Sequence, residues 1–160
     1  DVRASVEGGM RRVEANNSQP LSELPLSVVW SGSSAQTAPR VARYLQWSDS
    51  QAFVERTTEL VELFSTSPVA ALTEALELLR SMARQTGIAY DTPALSRIAQ
   101  IAIDHGGASK PSGAGGGDIA VGWIPDSIAR TAFHQACEKE GLLPIPSQIH
   151  SGVQLESLDA

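Results

Sequence analysis

The spacing of apolar positions along this chain changes several times, and each change marks an element. DVRASVEGG reads as a helix closed by Gly8 and Gly9. MRRVEA alternates weakly, as a short strand does, and NNSQP is a turn by composition. PLSVVW (Pro25 to Trp30) is a short β-branched run followed by the polar stretch SGSSAQT, which predicts a strand and then a loop. Helical spacing takes over near Thr37, first with Val41, Tyr44 and Leu45, then with Phe53, Leu60, Val61 and Phe64. A third helix starts at Ser67 and Pro68 and carries Val69, Leu72, Leu76, Leu79 and Ala83 on one face. Thr92 and Pro93 repeat that start signal ahead of Leu95, Ile98 and Ala102, and this helix ends at Gly106 and Gly107 with His105 in its last turn.

The last third changes character. ASKPSGAGGGD is a glycine-rich loop, and DIAVGWI (Asp118 to Ile124) is a buried strand by composition. Pro125 and Asp126 open a helix whose apolar stripe is Ile128, Ala129, Ala132, Phe133, Ala136 and Cys137, closed by Gly141. PIPSQIHSGVQLE is rich in apolar residues but broken by Pro and Gly, which predicts an edge strand. The order strand, helices, strand, strand, helix, strand is an α+β plan: a ferredoxin-like split βαβ antiparallel sheet with extra helices in the first crossover.

Composition narrows the function classes. A chain of 160 residues, 42% of them hydrophobic, buries one domain core well. A net charge of -6 leaves no basic face for a nucleic-acid partner. No run approaches the ~18 apolar residues of a membrane span, and no signal peptide is read, so a cytoplasmic protein without a membrane partner is expected. The lone Cys137 precludes an intramolecular disulfide and fits an apolar core position. His105, His134 and His150 have no metal-ligand spacing, so no metal site is expected. Trp30 and Trp123 read as core, and Glu55, Glu59 and Glu62 as a solvated helix face. The oligomeric expectation is a monomer or homodimer.

The stretch Lys110 to Asp118, KPSGAGGGD, carries the most chemistry. Gly113, Gly115, Gly116 and Gly117 are interrupted only by Ala114, so the backbone there can take positive φ and approach a ligand closely. Successive amides can converge on an anion, with Lys110 adding a mobile positive charge and Ser112 a hydroxyl. The run is not a dinucleotide fingerprint, because a strand rather than a helix follows it, and no G-K-[ST] closes it as in a Walker A loop. A hairpin linker without a ligand is the alternative reading of the same residues.

GAGGGD after Lys-Pro-Ser, followed by an apolar strand, resembles the third conserved motif of the GHMP kinase superfamily. The SGAGGGD form, with an acidic residue after the glycines, is similar to the phosphomevalonate kinase branch. Mevalonate kinases more often carry threonine at the position of Ser112 and glycine at that of Asp118. VVWSGSSAQT (Val28 to Thr37) resembles that branch's Trp-Ser/Thr-Gly turn before a helix, and GLLPIPSQI resembles the family's last strand. DVRASVEGG resembles the helix that carries the catalytic aspartate, which falls on Asp1. The resemblance implies a C-terminal half, with residues 1–24 a remnant of the N-terminal kinase domain and 25–160 the C-terminal domain. It further implies transfer of a phosphoryl group from ATP, with Mg2+, to phosphomevalonate as small-molecule substrate.

The family's Pro-x-x-x-Gly-Leu-x-Ser-Ser phosphate loop has no counterpart here, so ATP and Mg2+ are expected to be held mainly by the N-terminal half of the same kinase. The chain also opens at Asp1 without a methionine, in what reads as mid-helix. Without that half the chain is expected to be inactive. Ser31, Gly32, Ser33, Ser34, Ala35 and Thr37 form a second candidate loop for the substrate's phosphate or carboxylate, unless Thr37 or a serine only caps the following helix. Asp118 either orders the glycine loop or lies near substrate, and Asp1 is either a helix cap or the residue that orients the acceptor. Valine at Gly115 or Gly116 is expected to abolish catalysis while leaving the fold largely intact. Rival readings keep the superfamily with mevalonate, homoserine or a sugar as acceptor, or keep only the fold as a non-catalytic ligand-binding module.

Overall fold

Alternation of buried and half-buried positions in LSVVW and IAVGW makes these two runs the central strands of a sheet. The computed structural model describes residues 2–14, 16–113 and 115–153. In chain order the elements are α1 (Val2–Glu7), β1 (Arg11–Val13), β2 (Ser18–Pro20), β3 (Leu26–Trp30), α2 (Ala38–Leu45), α3 (Ser50–Phe64), α4 (Pro68–Thr86), α5 (Pro93–Asp104), β4 (Ala108–Pro111), β5 (Ile119–Trp123), α6 (Ser127–Lys139) and β6 (Leu143–Ile145). They fall into two compact units, Pro25–Pro146 and the pair of segments Asp1–Leu24 and Ser147–Ala160.

In the larger unit the sheet order is β4-β5-β3-β6 and every pairing is antiparallel. Val28 stands opposite Val121 and Ile145, and Lys110 opposite Val121. This is the expected split βαβ sheet, with four helices in the first crossover. One sheet face carries the buried Val29 and Ala120, which join Leu95, Ile98, Ala102, Phe133 and Cys137 of α5 and α6 in the main core. A second cluster unites Leu76 and Met82 of α4 with Ile88, Tyr90 and Ala99, flanked by an edge-to-face trio of Tyr44, Trp47 and Phe53.

Helix starts follow their sequence signals unevenly. Thr92 Oγ1 accepts the Leu95 N–H at 3.2 Å and Asp126 Oδ1 accepts that of Ala129 at 2.7 Å. Ser67 makes no side-chain cap bond, so Pro68 alone marks that start. Gly87, at φ 66°, ends α4 with its N–H on Ala83 O.

The structure corrects several expectations. Ser18–Pro20 of the presumed turn is a strand, paired with β1 so that Arg11 faces Pro20. Ala108–Pro111 of the presumed loop is the edge strand β4, where Ser109 sits opposite Gly122 with its Cβ 3.2 Å from where a Cβ on that glycine would stand. The last strand is Leu143–Ile145 rather than the longer run after it, because Pro146 has no N–H to extend the ladder. Ile128 is 80% exposed and lies outside the α6 stripe.

In the smaller unit the Glu7 carboxylate gathers the Ser18 hydroxyl, Arg3 at 3.0 Å and Arg11 at 2.7 Å. The Ser18 hydrogen bond, then that from Arg3, holds Glu7 below the usual carboxylate range. Gly8 and Gly152 let two backbones cross, since a Cβ on Gly152 would stand 2.6 Å from Val6 O. The crossing is sealed by Gly9 N–H to His150 O at 2.7 Å and Val153 N–H to Val6 O at 3.1 Å.

Thr92→Ala is expected to lower stability by about 1 kcal/mol in chemical denaturation, since it removes a formed cap. Ser67→Ala, which removes none, is expected to stay within about 0.5 kcal/mol of the parent.

Candidate functional site

The hairpin between β4 and β5 starts as a continuation of the ladder, with Ser112 N–H on Ile119 O at 2.9 Å. It then turns through Gly115, Gly116 and Gly117 at φ 71°, 72° and 147° and ends on Asp118 at φ 57°. Asp118 has the one positive φ of a non-glycine among the described residues, a conformation that aspartate tolerates better than most side chains. Its N–H donates to Ser33 O at 2.6 Å, its carbonyl accepts the Ser31 N–H at 2.9 Å, and its Oδ1 accepts the Ala35 N–H at 3.2 Å. Ser31 to Ala35 and the glycine hairpin are therefore one interlocked surface.

The glycines also serve packing within the protein. A Cβ on Gly115 would stand 2.6 Å from Tyr90 O, one on Gly116 2.5 Å from Ala89 O, and one on Gly117 2.8 Å from Ser33 O. The Gly116 N–H donates to Tyr90 O at 2.5 Å. The amides of Gly113, Gly115 and Gly117 donate to no protein acceptor among the described residues. Valine at Gly115 or Gly116 would therefore collide with protein backbone, which overturns the expectation that it leaves the fold intact.

Other predicted site residues are placed as follows. Ser33, Ser34, Thr37 and Ser112 are exposed, and the hydroxyls of Ser34, Thr37 and Ser112 find no protein partner among the described residues. Thr37 stands at the α2 N-cap position without a side-chain cap bond, while Gly32 turns at φ 86°. Ser31 is buried, and its hydroxyl reaches Ser33 O at 3.3 Å. Lys110 is not a mobile charge: its ammonium donates to Pro111 O at 2.9 Å, and burial pushes its pKa down. Asp1 and Ala114 lie outside the described residues. No group of three or more His, Cys, Asp or Glu among the described residues is placed to hold a metal ion.

Two residues of this surface were missed in the sequence. Arg40 lies against Gly116, whose added Cβ would be 2.7 Å from the guanidinium carbon, and its Nη1 donates to Gln36 O at 2.6 Å. A clue was present: a cation in the first turn of a helix opposes the helix dipole and calls for another reason to be there. Tyr90 supports the hairpin with its carbonyl and ring, and nothing in the spacing of GIAYDTP distinguishes it from ordinary core.

Asp118→Ala is expected to lower stability by about 1–3 kcal/mol, losing the Ala35 bond and meeting the cost of positive φ. Asp118→Asn keeps an acceptor and tolerates that φ, and should cost under about 1 kcal/mol on the same denaturation curve. Lys110 gives a pH signature. The folded chain releases this proton at lower pH than the unfolded chain, so its contribution to stability rises with pH toward the ordinary lysine value near 10.5. Subtracting the Lys110→Met profile from the parent profile should reveal that rise.

Comparison with known proteins places the chain by sequence and by fold. Residues 68–141 match the family described as GHMP kinases C terminal. The phosphomevalonate kinase of Streptomyces sp. (strain CL190) is 36% identical over 138 residues, 77% of this chain and 37% of that protein. The Lin0012 protein of Listeria innocua superposes with a TM-score of 0.76 at 21% identity, over 84% of this chain and 42% of its own. The Streptococcus pneumoniae phosphomevalonate kinase, solved in complex with phosphomevalonate and AMPPNP, superposes with a TM-score of 0.70 at 19% identity, over 84% of this chain and 43% of its own. The chain thus spans well under half the length of these relatives. Fold and sequence kinship converge: the chain belongs to the GHMP kinase family, and residues 68–141 are its C-terminal part.

Proposed function

We propose that this chain is the C-terminal part of an ATP-dependent kinase that phosphorylates phosphomevalonate to diphosphomevalonate, a step in isoprenoid precursor synthesis. The observation that carries this reading is the Asp118 interlock, which sets the glycine amides beside the exposed hydroxyls of the Ser31–Thr37 turn. An array of N–H and O–H donors with no protein acceptor suits the oxygens of a phosphate group. The 36% identity to a phosphomevalonate kinase supports that acceptor over others.

In this reading the residues before Pro25 end the N-terminal kinase domain, and the N-terminal half of the same kinase is the chain's partner. Phosphoryl transfer is chiefly positioning and charge neutralisation. The γ-phosphoryl group leaves ADP and forms its new bond to an oxygen of the acceptor's phosphate. Gly113, Gly115 and Gly117 present amides to phosphate oxygens, and Ser33, Ser34, Thr37 and Ser112 orient the acceptor. Mg2+, when bound, would supply neutralisation of charge on the moving group, and in this reading it would be held mainly by the N-terminal half. Asp1 takes the catalytic aspartate's place by sequence match alone and orients the acceptor or removes its proton.

ADP release should be measured with the chain joined to its N-terminal half, using phosphomevalonate, mevalonate, homoserine and a sugar in turn. Phosphomevalonate is expected to be the productive acceptor, with the chain alone inert. ADP formed with another acceptor and none with phosphomevalonate would refute the substrate assignment. Ser34→Ala should raise the KM for the acceptor several-fold, the size expected for one lost hydrogen bond to a charged group.

A further inference from the structure

The glycine hairpin rests on the residues between α4 and α5, Gly87 to Asp91, which belong to no helix or strand. Gly116 N–H donates to Tyr90 O at 2.5 Å, and the carbonyls of Tyr90 and Ala89 stand so close to Gly115 and Gly116 that no Cβ fits there. The height of this segment therefore sets the height of the hairpin and of the amides it leaves for phosphate.

Two arginines pin the segment at its ends. Arg43 Nη1 of α2 donates to Gly87 O at 2.6 Å. Arg80 Nε of α4 donates to Asp91 Oδ2 at 2.8 Å, while its Nη1 reaches Glu77 Oε1 at 2.9 Å and its Nη2 lies 3.4 Å from Ser96 Oγ of α5. One guanidinium fork thus ties α4, the end of the segment and α5 together. Between the ends, Ile88 and Tyr90 sink into the second core cluster, but apolar packing is non-directional and does not by itself set the tilt of the Tyr90 carbonyl. The Tyr90 hydroxyl and Asp91 Oδ1 are buried without a hydrogen-bond partner, so neither holds the segment. Among the described residues only Arg80 binds the Asp91 carboxylate. The Arg80 and Asp91 side chains stay 27% and 26% exposed, and an ion pair so exposed adds little to global stability. Its effect is on the direction in which the segment leaves α4.

We propose that Arg80 is a positioning residue for phosphoryl transfer: through Asp91 it fixes the Tyr90 and Ala89 carbonyls, and so the spacing of the hairpin amides that meet phosphate. This role rests on the kinase reading above, and Arg80 acts through the hairpin rather than on a reacting atom. It complements Asp118, which ties the same hairpin from the side of the Ser31–Ala35 turn. Arg97 offers the contrast, because its ion pair with Glu140 joins α5 to the end of α6 and has no bond to the hairpin or its support.

The test compares Arg80→Met, Arg80→Lys and Arg97→Met with the parent. Hydrogen exchange at the Gly116 amide is read on the chain, and ADP release on the chain joined to its N-terminal half. Arg80→Met is expected to speed exchange at Gly116 several-fold and to lower kcat/KM roughly tenfold, within the ~100-fold that a 1 Å misplacement can cost. Arg80→Lys keeps the cation and should recover most of both. Arg97→Met should lower the Tm as much as Arg80→Met does, yet leave Gly116 exchange and turnover at parent values. Asp91→Asn, which keeps the shape of the side chain, should show the same two effects at smaller size, and it decides the matter if Arg80→Met does not fold. Unchanged exchange at Gly116 in Arg80→Met, or equal loosening in Arg97→Met, would overturn the positioning role. An active parent whose turnover ignores Arg80→Met would overturn it too and leave the kinase reading standing. A parent inert with every acceptor would refute the kinase reading, and the positioning role with it.

Discussion

The contact on which the candidate surface depends is the triple link from Asp118 to the Ser31–Ala35 turn. Its two backbone bonds fix the approach of two segments that are more than eighty residues apart in the chain, and its carboxylate fixes their orientation. Neither segment has regular structure to hold it, so a loop–loop bond network replaces a ladder. The positive φ at Asp118 is the local cost of that closure. It turns the backbone N–H, C=O and carboxylate of one residue toward a single neighbour. An alanine or leucine there would meet both the conformational penalty and the loss of the acceptor.

The glycine run looks different once its surroundings are known. A nest that only embraced an anion would need glycines where the ligand comes close. Here Gly115, Gly116 and Gly117 are required first because Tyr90, Ala89 and Ser33 come close from the protein side. The hairpin is pressed between the 88–90 segment and the Ser31–Ala35 turn, and the amides left without acceptors alternate with amides tied down internally. Packing therefore decides which donors remain available. That is preorganisation: the donors keep their positions before any charge arrives, so little reorganisation is left for the moment of binding.

The parts legible in the sequence were those governed by local periodicity and local caps. The helical spacing of Leu95, Ile98 and Ala102 and the Thr92–Pro93 start both appear as read, and so does the split βαβ order. Resemblance to GHMP kinases rested first on the glycine run, with the VVWSGSSAQT, GLLPIPSQI and DVRASVEGG segments beside it. What escaped reading was set by distant partners. Lys110 lies half-buried in a strand with its ammonium on Pro111 O, so its charge is not free to move, and nothing in KPSG announces that. Arg40 and Tyr90 acquire meaning only from the hairpin that folds onto them. Ser18–Pro20 became a strand because Arg11–Val13 offered it a partner, overriding a turn-like composition.

The sheet itself explains why the two loops meet. In an antiparallel pair the end of one strand faces the start of the other, and Trp30 stands opposite Ile119. The loop that leaves β3 and the hairpin that enters β5 therefore emerge side by side. This depends on register, and a row of small residues on the core face fits only one register: Ser27 opposite Gly122 opposite Ser109. His134 of α6 reaches Ser27 Oγ at 2.9 Å, tying that row to the helix above it. A slip of β3 by one residue would turn Val28 toward the helices and Val29 away from them. It would also carry Asp118 out of reach of Ser33. The same small side chains that let α5 and α6 settle on the sheet thus determine which loops share its end, and the donor surface follows from core packing.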